Sequence, residues 1–106
     1  MYCMSVEYLR EEGSRFDHDY YRDTHLPLCR RLLDGRGLVG TVLRLDAGKA
    51  PGRHDLFWAS VDIVFESEEQ LKAALAEVGG EINADVPNYT DIRPRVSFAE
   101  ISVALD

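Results

Sequence analysis

Apolar and polar residues alternate at the beginning of the chain, as they do in a strand that buries one face. The residues that would share the buried face are Tyr2, Met4, Val6 and Tyr8. Three further stretches rich in apolar and β-branched residues predict strands at residues 38–45, 56–65 and 96–105. We therefore expect a sheet of four strands.

A first helix is predicted between the first two strands. Asp17 is a suitable N-cap residue, and the helix should run to about Leu33, where a glycine-containing turn ends it. Pro27 interrupts this stretch. Because the residue before a proline avoids helical dihedral angles, we expect a break or bend near His25 and Leu26.

A second helix is predicted after the third strand. Ser67 and Gln70 form a capping box, in which the serine caps the helix and the glutamine answers it three residues later. A helical stripe follows, made of Leu71, Leu75, Val78 and Ile82. Gly79 and Gly80 should loosen or end this helix, and a loop bracketed by Pro87 and Pro94 leads to the last strand.

The resulting order, β-α-β-β-α-β, predicts an α+β domain of the ferredoxin-like class over residues 1–106. In that arrangement a four-stranded antiparallel sheet carries two helices on one face. The sequence shows no internal repeat and no low-complexity segment. A single domain is therefore expected.

The face of the sheet away from the helices is expected to be partly apolar. In the third strand one face would carry Ala59, Val61, Ile63 and Phe65, and the other Trp58, Ser60, Asp62 and Val64. The last strand has apolar residues on both faces, and the change of parity near Ala99 and Glu100 could mark a bulge. Because a large apolar patch usually has a partner, we expect a homodimer; the alternative is a monomer with scattered exposed aromatic residues.

Composition and charge narrow the class of partner. The chain has 106 residues, of which 45% are hydrophobic and 29% charged, with a net charge of −7. This acidic balance argues against binding to nucleic acid or to an anionic membrane. The N-terminal residues do not resemble a signal peptide, and no apolar run is long enough to span a membrane, so a cytoplasmic protein is expected.

The two cysteines, Cys3 and Cys29, match no metal-binding or disulfide pattern. They are interpreted as small buried thiols in a reducing compartment. A reactive Cys29 is the alternative, since Arg30 and Arg31 follow it and could favour the thiolate. No metal site and no bound cofactor are expected.

His25 is the histidine most suited to chemistry. It shares a predicted stripe with Tyr21, Leu28 and Leu32 that would face the sheet, whereas His18 and His54 lie at polar positions. A histidine beside an apolar cleft can act as a general acid or base; the alternative is a structural histidine that bonds the broken helix.

Two groups of residues could complete such a site. Asp85 and Tyr89 lie in the segment before the last strand, where Asp85 could orient a histidine and Tyr89 could close a pocket. The aromatic residues Tyr8, Tyr21 and Trp58 are candidates for the core or for the lining of a pocket between helix and sheet. Spacing alone does not bring any of them next to His25.

Two segments resemble the EthD family, named for ethyl tert-butyl ether degradation. The opening segment runs from Arg15 through the Tyr20–Tyr21 pair to Thr24-His25-Leu26-Pro27-Leu28, and the closing segment is Ala84-Asp85-Val86-Pro87-Asn88-Tyr89-Thr90-Asp91. The resemblance covers nearly the whole chain. It implies a dimeric α+β barrel, in which two sheets face each other and the ligand lies in a cleft between helices and sheet.

The resemblance also implies candidate functions. The first is an enzyme without a cofactor that moves a proton on a small apolar carbonyl or phenolic compound, in cyclisation, isomerisation or decarboxylation. His25 would shuttle the proton, Tyr89 or Tyr21 would hold the enolate oxygen, and Asp85 would orient the imidazole. Substrate would be bound by Tyr8, Tyr21, Trp58 and Leu28. The alternatives are a non-catalytic accessory dimer that binds a ligand for an oxygenase pathway, and a haem-dependent or cofactor-free oxygenase.

Overall fold

A computed structural model describes residues 1–45 and 57–102. The predicted loop at residues 47–52, His54, Leu56 and the last four residues lie outside the described residues. The elements are β1 (Tyr2–Leu9), α1 (His18–Tyr20), a π-helical turn (Tyr21–His25), α2 (Leu26–Leu33), β2 (Leu38–Leu45), β3 (Phe57–Phe65), α3 (Glu68–Asp85), a 3-10 turn (Val86–Asn88) and β4 (Arg95–Glu100).

The strands form one sheet in the order β2-β3-β1-β4, and every neighbouring pair is antiparallel. The helices lie on one side of this sheet, so the expected α+β ferredoxin-like fold is confirmed. The main core packs α2 and α3 onto the two central strands. It is built from Met4, Cys29, Leu33, Val61, Ile63, Phe65, Leu71, Ala74 and Val78.

The chain does not leave the helical conformation before Pro27, but the irregularity expected near His25 and Leu26 is present: a π turn ends at His25, and Pro27 lies in the first turn of α2. Leu26 keeps helical dihedral angles (φ −65°, ψ −40°), and its N–H donates to the carbonyl of Tyr21, five residues earlier. The helix therefore continues through a wider π turn. In a regular α-helix the ring of Pro27 would press on the carbonyl of Asp23, and the wider turn just before the proline relieves that crowding.

The π turn also changes which face of α2 is buried. The predicted stripe continued from His25 to Leu28 and Leu32, but these leucines are only partly buried, and Cys29 and Leu33 are buried instead. A π turn holds one residue more than an α turn, so the residues after it are displaced by one position around the helix. As a result Cys29, rather than Leu28, lies on the inner face that begins at Tyr21.

The predicted effect of the glycine pair on α3 is also wrong, because α3 continues through Gly79 and Gly80 to Asp85. The serine cap at its start is confirmed: the Ser67 hydroxyl accepts a hydrogen bond from the Gln70 N–H at 3.2 Å. The Gln70 side chain accepts from that hydroxyl at 2.9 Å, and not from the Ser67 N–H as in a capping box. The packing of Leu71, Ala74 and Val78 on the sheet outweighs the entropic cost of two interior glycines.

The last strand is shorter than predicted. β4 ends at Glu100, and its register with β1 is unbroken from Arg95 to Glu100, so the bulge expected near Ala99 is absent from the described residues. Val96 pairs with Val6 and Phe98 with Met4, which places both apolar side chains on the helix side of the sheet. They are 45% and 51% exposed because no helix covers this edge.

We call the other side of the sheet the open face. Pairing places on it Cys3, Ser5, Glu7, Gly40, Val42, Arg44, Ser60, Asp62, Val64, Arg95, Ser97 and Ala99. It is more polar than expected, since the apolar residues of β4 point the other way. Trp58 has contacts within its own chain: its indole N–H donates to Ser14, and the Arg10 guanidinium lies 4.4 Å from the ring centroid. Most side chains of the open face are small.

Substitution of two glycines should change stability in opposite directions. Gly37 has φ +95°, and a Cβ there would meet the Gln70 side chain at 2.6 Å, so Gly37→Ala should lower the free energy of unfolding by about 1–2 kcal/mol. Gly80 is helical with nothing within 4 Å of an added Cβ, so Gly80→Ala should raise it by up to about 1 kcal/mol. Urea denaturation measures both, and equal effects would contradict this account.

Candidate functional site

Two segments far apart in sequence meet at one end of the sheet. Phe16 and Thr90 form an isolated antiparallel bridge, and the Asp17 N–H donates to the carbonyl of Tyr89 at 2.8 Å. The Asp91 carboxylate accepts from the Arg15 N–H at 2.9 Å. These bonds fix the start of the first helix against the loop before β4, and so bring the two segments that resemble the EthD family side by side.

Asp85, the last residue of α3, joins this arrangement through its carboxylate. One oxygen lies 2.8 Å from Nδ1 of His25. The other accepts from the Tyr20 hydroxyl at 2.6 Å and from the Asn88 amide at 2.9 Å. The sequence suggested Asp85 as an orienting group, and the structure brings it into contact with His25. Tyr20 and Asn88 are partners that the sequence analysis did not find.

The electrostatics favour a neutral histidine beside an ionised carboxylate. Burial lowers the pKa of His25, and the neighbouring Asp85 only partly opposes this effect. Partial burial acts to raise the pKa of Asp85, but the hydrogen bonds from Tyr20, His25 and Asn88 outweigh it and leave that pKa below its usual value. With the carboxylate accepting at Nδ1–H, the free lone pair of His25 is on Nε2.

Cys29 lies against that second nitrogen. Its Sγ is 3.4 Å from Nε2 of His25, one helical turn away on the inner face. Burial raises the pKa of the thiol to about 12, and the nearby Asp85 adds to the effect. The resting form of Cys29 is therefore the neutral thiol and not the thiolate that the following arginines suggested. Both Arg30 and Arg31 are exposed.

Three tyrosines surround the histidine. The Tyr21 ring stacks on the His25 ring at 5.7 Å, and the Tyr89 ring lies 4.5 Å from it. The hydroxyls of Tyr8 and Tyr89 are 2.6 Å apart and share a hydrogen bond. Burial raises the pKa of all three tyrosines, so their hydroxyls are protonated.

A cavity of about 550 Å³ opens between the helices and the sheet in front of His25. Its polar lining residues are Tyr8, Tyr21, His25, Cys29 and Asn83. The remaining lining is aliphatic, aromatic, glycine or proline, and no Asp, Glu, Lys or Arg of the described chain takes part. Such a space suits an uncharged, largely apolar molecule.

The predicted site residues fall into three groups. His25, Tyr8 and Tyr21 line the cavity. Asp85 and Tyr89 lie behind them, in contact with the lining residues and not with the cavity itself. Leu28 and Trp58 do not line this cavity, Leu28 because of the π turn and Trp58 because it packs against His18 and Arg10.

Some of the lining residues that were not predicted could have been found from the sequence. Cys29 is four residues after His25, a spacing that places two helical residues on one face. Val96 and Phe98 line the rim of the cavity. With the correct register between β1 and β4, the alternation of side chains along the strand would have assigned both to the helix side of the sheet. The roles of Tyr20 and Asn88 depend on tertiary contacts that spacing does not show.

Two features are absent from the described ranges, 1–45 and 57–102. No three His, Cys, Asp or Glu side chains there lie in an arrangement that could hold a metal ion. No helix in the same ranges is both long and apolar enough to cross a membrane.

Comparison with known families identifies the chain. The model of the EthD domain matches residues 11–93, which include both segments that meet at the site. The chain belongs to the EthD family. A search among curated proteins gave no match.

Solved structures agree with this assignment. An EthD-like protein from Ralstonia eutropha JMP134 is 36% identical, with a TM-score of 0.86 over 96% of this chain and 92% of that chain. An EthD family protein from Bacillus halodurans C-125 is 19% identical, with a TM-score of 0.75 over 95% and 98%. SnoaB, a cofactor-independent oxygenase from Streptomyces nogalater, is 9% identical, with a TM-score of 0.63 over 98% and 93%, and so shares the fold alone.

The lowered pKa of His25 should make stability depend on pH. Because the histidine binds a proton less readily in the folded state, the free energy of unfolding should fall as the pH drops below the ordinary value of 6.5. At a pH about one unit lower, this loss is at most about 1.4 kcal/mol. The variant His25→Gln should not show this loss of unfolding free energy at low pH. Urea denaturation at two pH values measures the difference, and parallel pH curves for the two proteins would refute it.

Proposed function

We propose that this protein is an enzyme without a bound cofactor that moves a proton next to the carbonyl group of a small, largely apolar carbonyl or phenolic compound. Cyclisation, isomerisation and decarboxylation are reactions of this kind. The observation that carries the proposal is the His25–Asp85 pair, which leaves Nε2 as the basic nitrogen of a histidine that lines an apolar cavity. A base in this setting is neutral at physiological pH and ready to accept a proton.

In this mechanism His25 takes a proton from the carbon next to the carbonyl and later returns it. Asp85 accepts the Nδ1–H bond, holds the ring in one orientation and stabilises the imidazolium that forms in passing. Tyr20 and Asn88 in turn hold the carboxylate of Asp85 by hydrogen bonds. The base is thereby positioned before the substrate arrives.

The enolate oxygen needs hydrogen-bond donors. Tyr21 lines the cavity beside His25 and is proposed as one donor. Tyr89 does not reach the cavity, but its hydroxyl bonds that of Tyr8, which does, so Tyr89 acts by orienting Tyr8. Neutral hydroxyl donors in an apolar space stabilise a developing negative charge more than they do in water.

The lining supports an apolar substrate. Because no charged side chain of the described residues faces the cavity, an anionic or cationic ligand would lose its hydration without gaining a partner. Val96 and Phe98 are half exposed at the rim, and a bound ring would cover them. The similarity in fold to SnoaB, described as a cofactor-independent oxygenase, is consistent with chemistry that needs no cofactor.

Deuterium exchange of an aromatic ketone tests the proposed proton transfer. With 2-tetralone in heavy water, the wild-type protein should accelerate exchange of the protons next to the carbonyl, as followed by proton NMR. His25→Gln should lower this acceleration about 100-fold or more, and Asp85→Asn should lower it less. His18→Gln, which changes a histidine outside the cavity, is the matched control and should keep wild-type exchange.

Equal exchange by wild type and His25→Gln would refute the role of His25. If 2-tetralone binds, as seen from NMR shifts of the tyrosine rings, but the wild-type protein does not accelerate exchange, the result would instead favour the non-catalytic ligand-binding dimer. Oxygen consumption in the same assay would indicate an oxygenase.

We further propose that two chains form a homodimer through their open faces. Most side chains of this face are small, so a second sheet can approach to the usual distance of about 10 Å between packed sheets. Val42 projects from it with 56% of its surface exposed. Ionic groups at one end of the face are paired, as in the 3.0 Å contact between Arg95 and Glu7, and so cost less to bury.

Sedimentation equilibrium should find a particle of twice the 12.0 kDa chain mass. Val42→Arg places a charge on the open face at a position already exposed in the single chain, and it should shift the particle toward the monomer. Ala76→Arg, an exposed position on α3, is the matched control and should remain dimeric. A wild-type monomer, or equal dimerisation of both variants, would refute this interface.

A further inference from the structure

The thiol of Cys29 forms the third member of a chain of side chains that ends at Asp85. Sγ lies 3.4 Å from Nε2 of His25, and Nδ1 of the same ring lies 2.8 Å from the Asp85 carboxylate. Both Cys29 and His25 line the cavity, so the sulfur is next to the space where a ligand would bind. A nucleophile, a base and a group that orients the base, in this order and at these distances, form the arrangement that activates nucleophiles in enzymes.

We propose that Cys29 is a nucleophile that adds reversibly to a small apolar molecule whose carbon–carbon double bond is conjugated to a carbonyl group, an enone or a quinone. The inference rests on the proposed function, because both use His25 as the base in the same cavity. It goes beyond that function because it assigns a covalent step and a class of electrophilic ligand to a residue that proton transfer does not use.

The step balances without an oxidant or a reductant. The Sγ–H proton moves to Nε2 of His25 as the sulfur bonds to the β carbon and the electron pair of the double bond moves onto the carbonyl oxygen. Nε2 then returns the proton to the α carbon, which leaves a neutral thioether and a neutral histidine. Elimination by the reverse path releases the ligand and restores the thiol.

The lining of the cavity favours conjugate addition over acyl transfer. The addition begins and ends with neutral species and releases no leaving group, which suits a cavity with no charged side chain among the described lining residues. The enolate exists only in passing, and the hydroxyls of Tyr8 and Tyr21 are at hand to bond its oxygen.

The resting state of the pair explains why the base is needed. Burial raises the pKa of Cys29 to about 12 and lowers that of His25, so thiol and imidazole are both neutral. At pH 7 only about one thiol in 10⁵ is ionised, and reaction through free thiolate is correspondingly slow. The other titratable groups around the pair are the carboxylate of Asp85 and the hydroxyls of Tyr8, Tyr21 and Tyr89, none of which changes charge near neutral pH.

Reaction with 2-cyclohexenone tests the proposal, with the modified cysteine located by peptide mass spectrometry. In the folded wild-type protein Cys29 should form the adduct at a rate that is nearly constant from about pH 7 to pH 9, because neutral His25 supplies the base. In His25→Gln the rate should fall about 100-fold at pH 7 and should rise about tenfold per pH unit, because only free thiolate then reacts. Matching near-ultraviolet circular dichroism of the two proteins is the control for an intact fold.

Two results would overturn the proposal. The first is the same rate and the same pH profile for Cys29 in both proteins. The second is an unmodified Cys29 while NMR shifts of Tyr8 and Tyr21 show that cyclohexenone occupies the cavity. If His25→Gln fails the circular dichroism control, Asp85→Asn replaces it, and an unchanged Cys29 rate in Asp85→Asn would equally overturn the proposal.

The two proposals can fail separately. Acceleration of 2-tetralone exchange with an inert Cys29 would refute only the covalent step. A His25-dependent adduct at Cys29 without acceleration of exchange would refute only the proposed proton transfer on carbon.

Discussion

The carboxylate of Asp85 is the interaction on which the site depends. It lies at the end of α3 and accepts hydrogen bonds from Tyr20 and His25 on the first helical segment and from Asn88 on the following turn. A single anion thereby joins three parts of the chain that approach from different directions. Because its donors are charge-neutral, the carboxylate is stabilised without a cation, and the cavity in front of His25 stays free of formal charge. The neutrality of the cavity therefore follows from the way this one anion is bonded.

Most of the fold could be predicted from the sequence because its strands and caps are local signals. Alternation in β1 and the capping residue Ser67 identify elements without knowledge of their neighbours. The errors arose where local preference met tertiary packing. Pro27 falls in the first turn of α2, and the π turn before it relieves its crowding. The pair Gly79–Gly80 is kept in α3 by the packing of the buried side chains around it.

The site was predictable only in part. His25 and Asp85 could both be proposed from residue type and position, but their contact spans 60 residues of sequence and depends on the bridge between Phe16 and Thr90. Leu28 was predicted and Cys29 is found, because one additional residue in the turn before them displaces the inner face by one position. The assignment of Trp58 failed for another reason: strand parity does not reveal that a loop residue, Ser14, covers its indole.

The π turn at Tyr21–His25 has a consequence for comparing this chain with its relatives. A π turn is equivalent to an α-helix into which one residue has been inserted. A homologue with an uninterrupted α-helix here would have one residue fewer between the second aromatic of its pair and its histidine. An alignment that forbids gaps within helices would then align His25 with a residue adjacent to the histidine of that homologue. Equivalent residues in this family are better assigned by superposing the carboxylate and the imidazole than by counting along the helix.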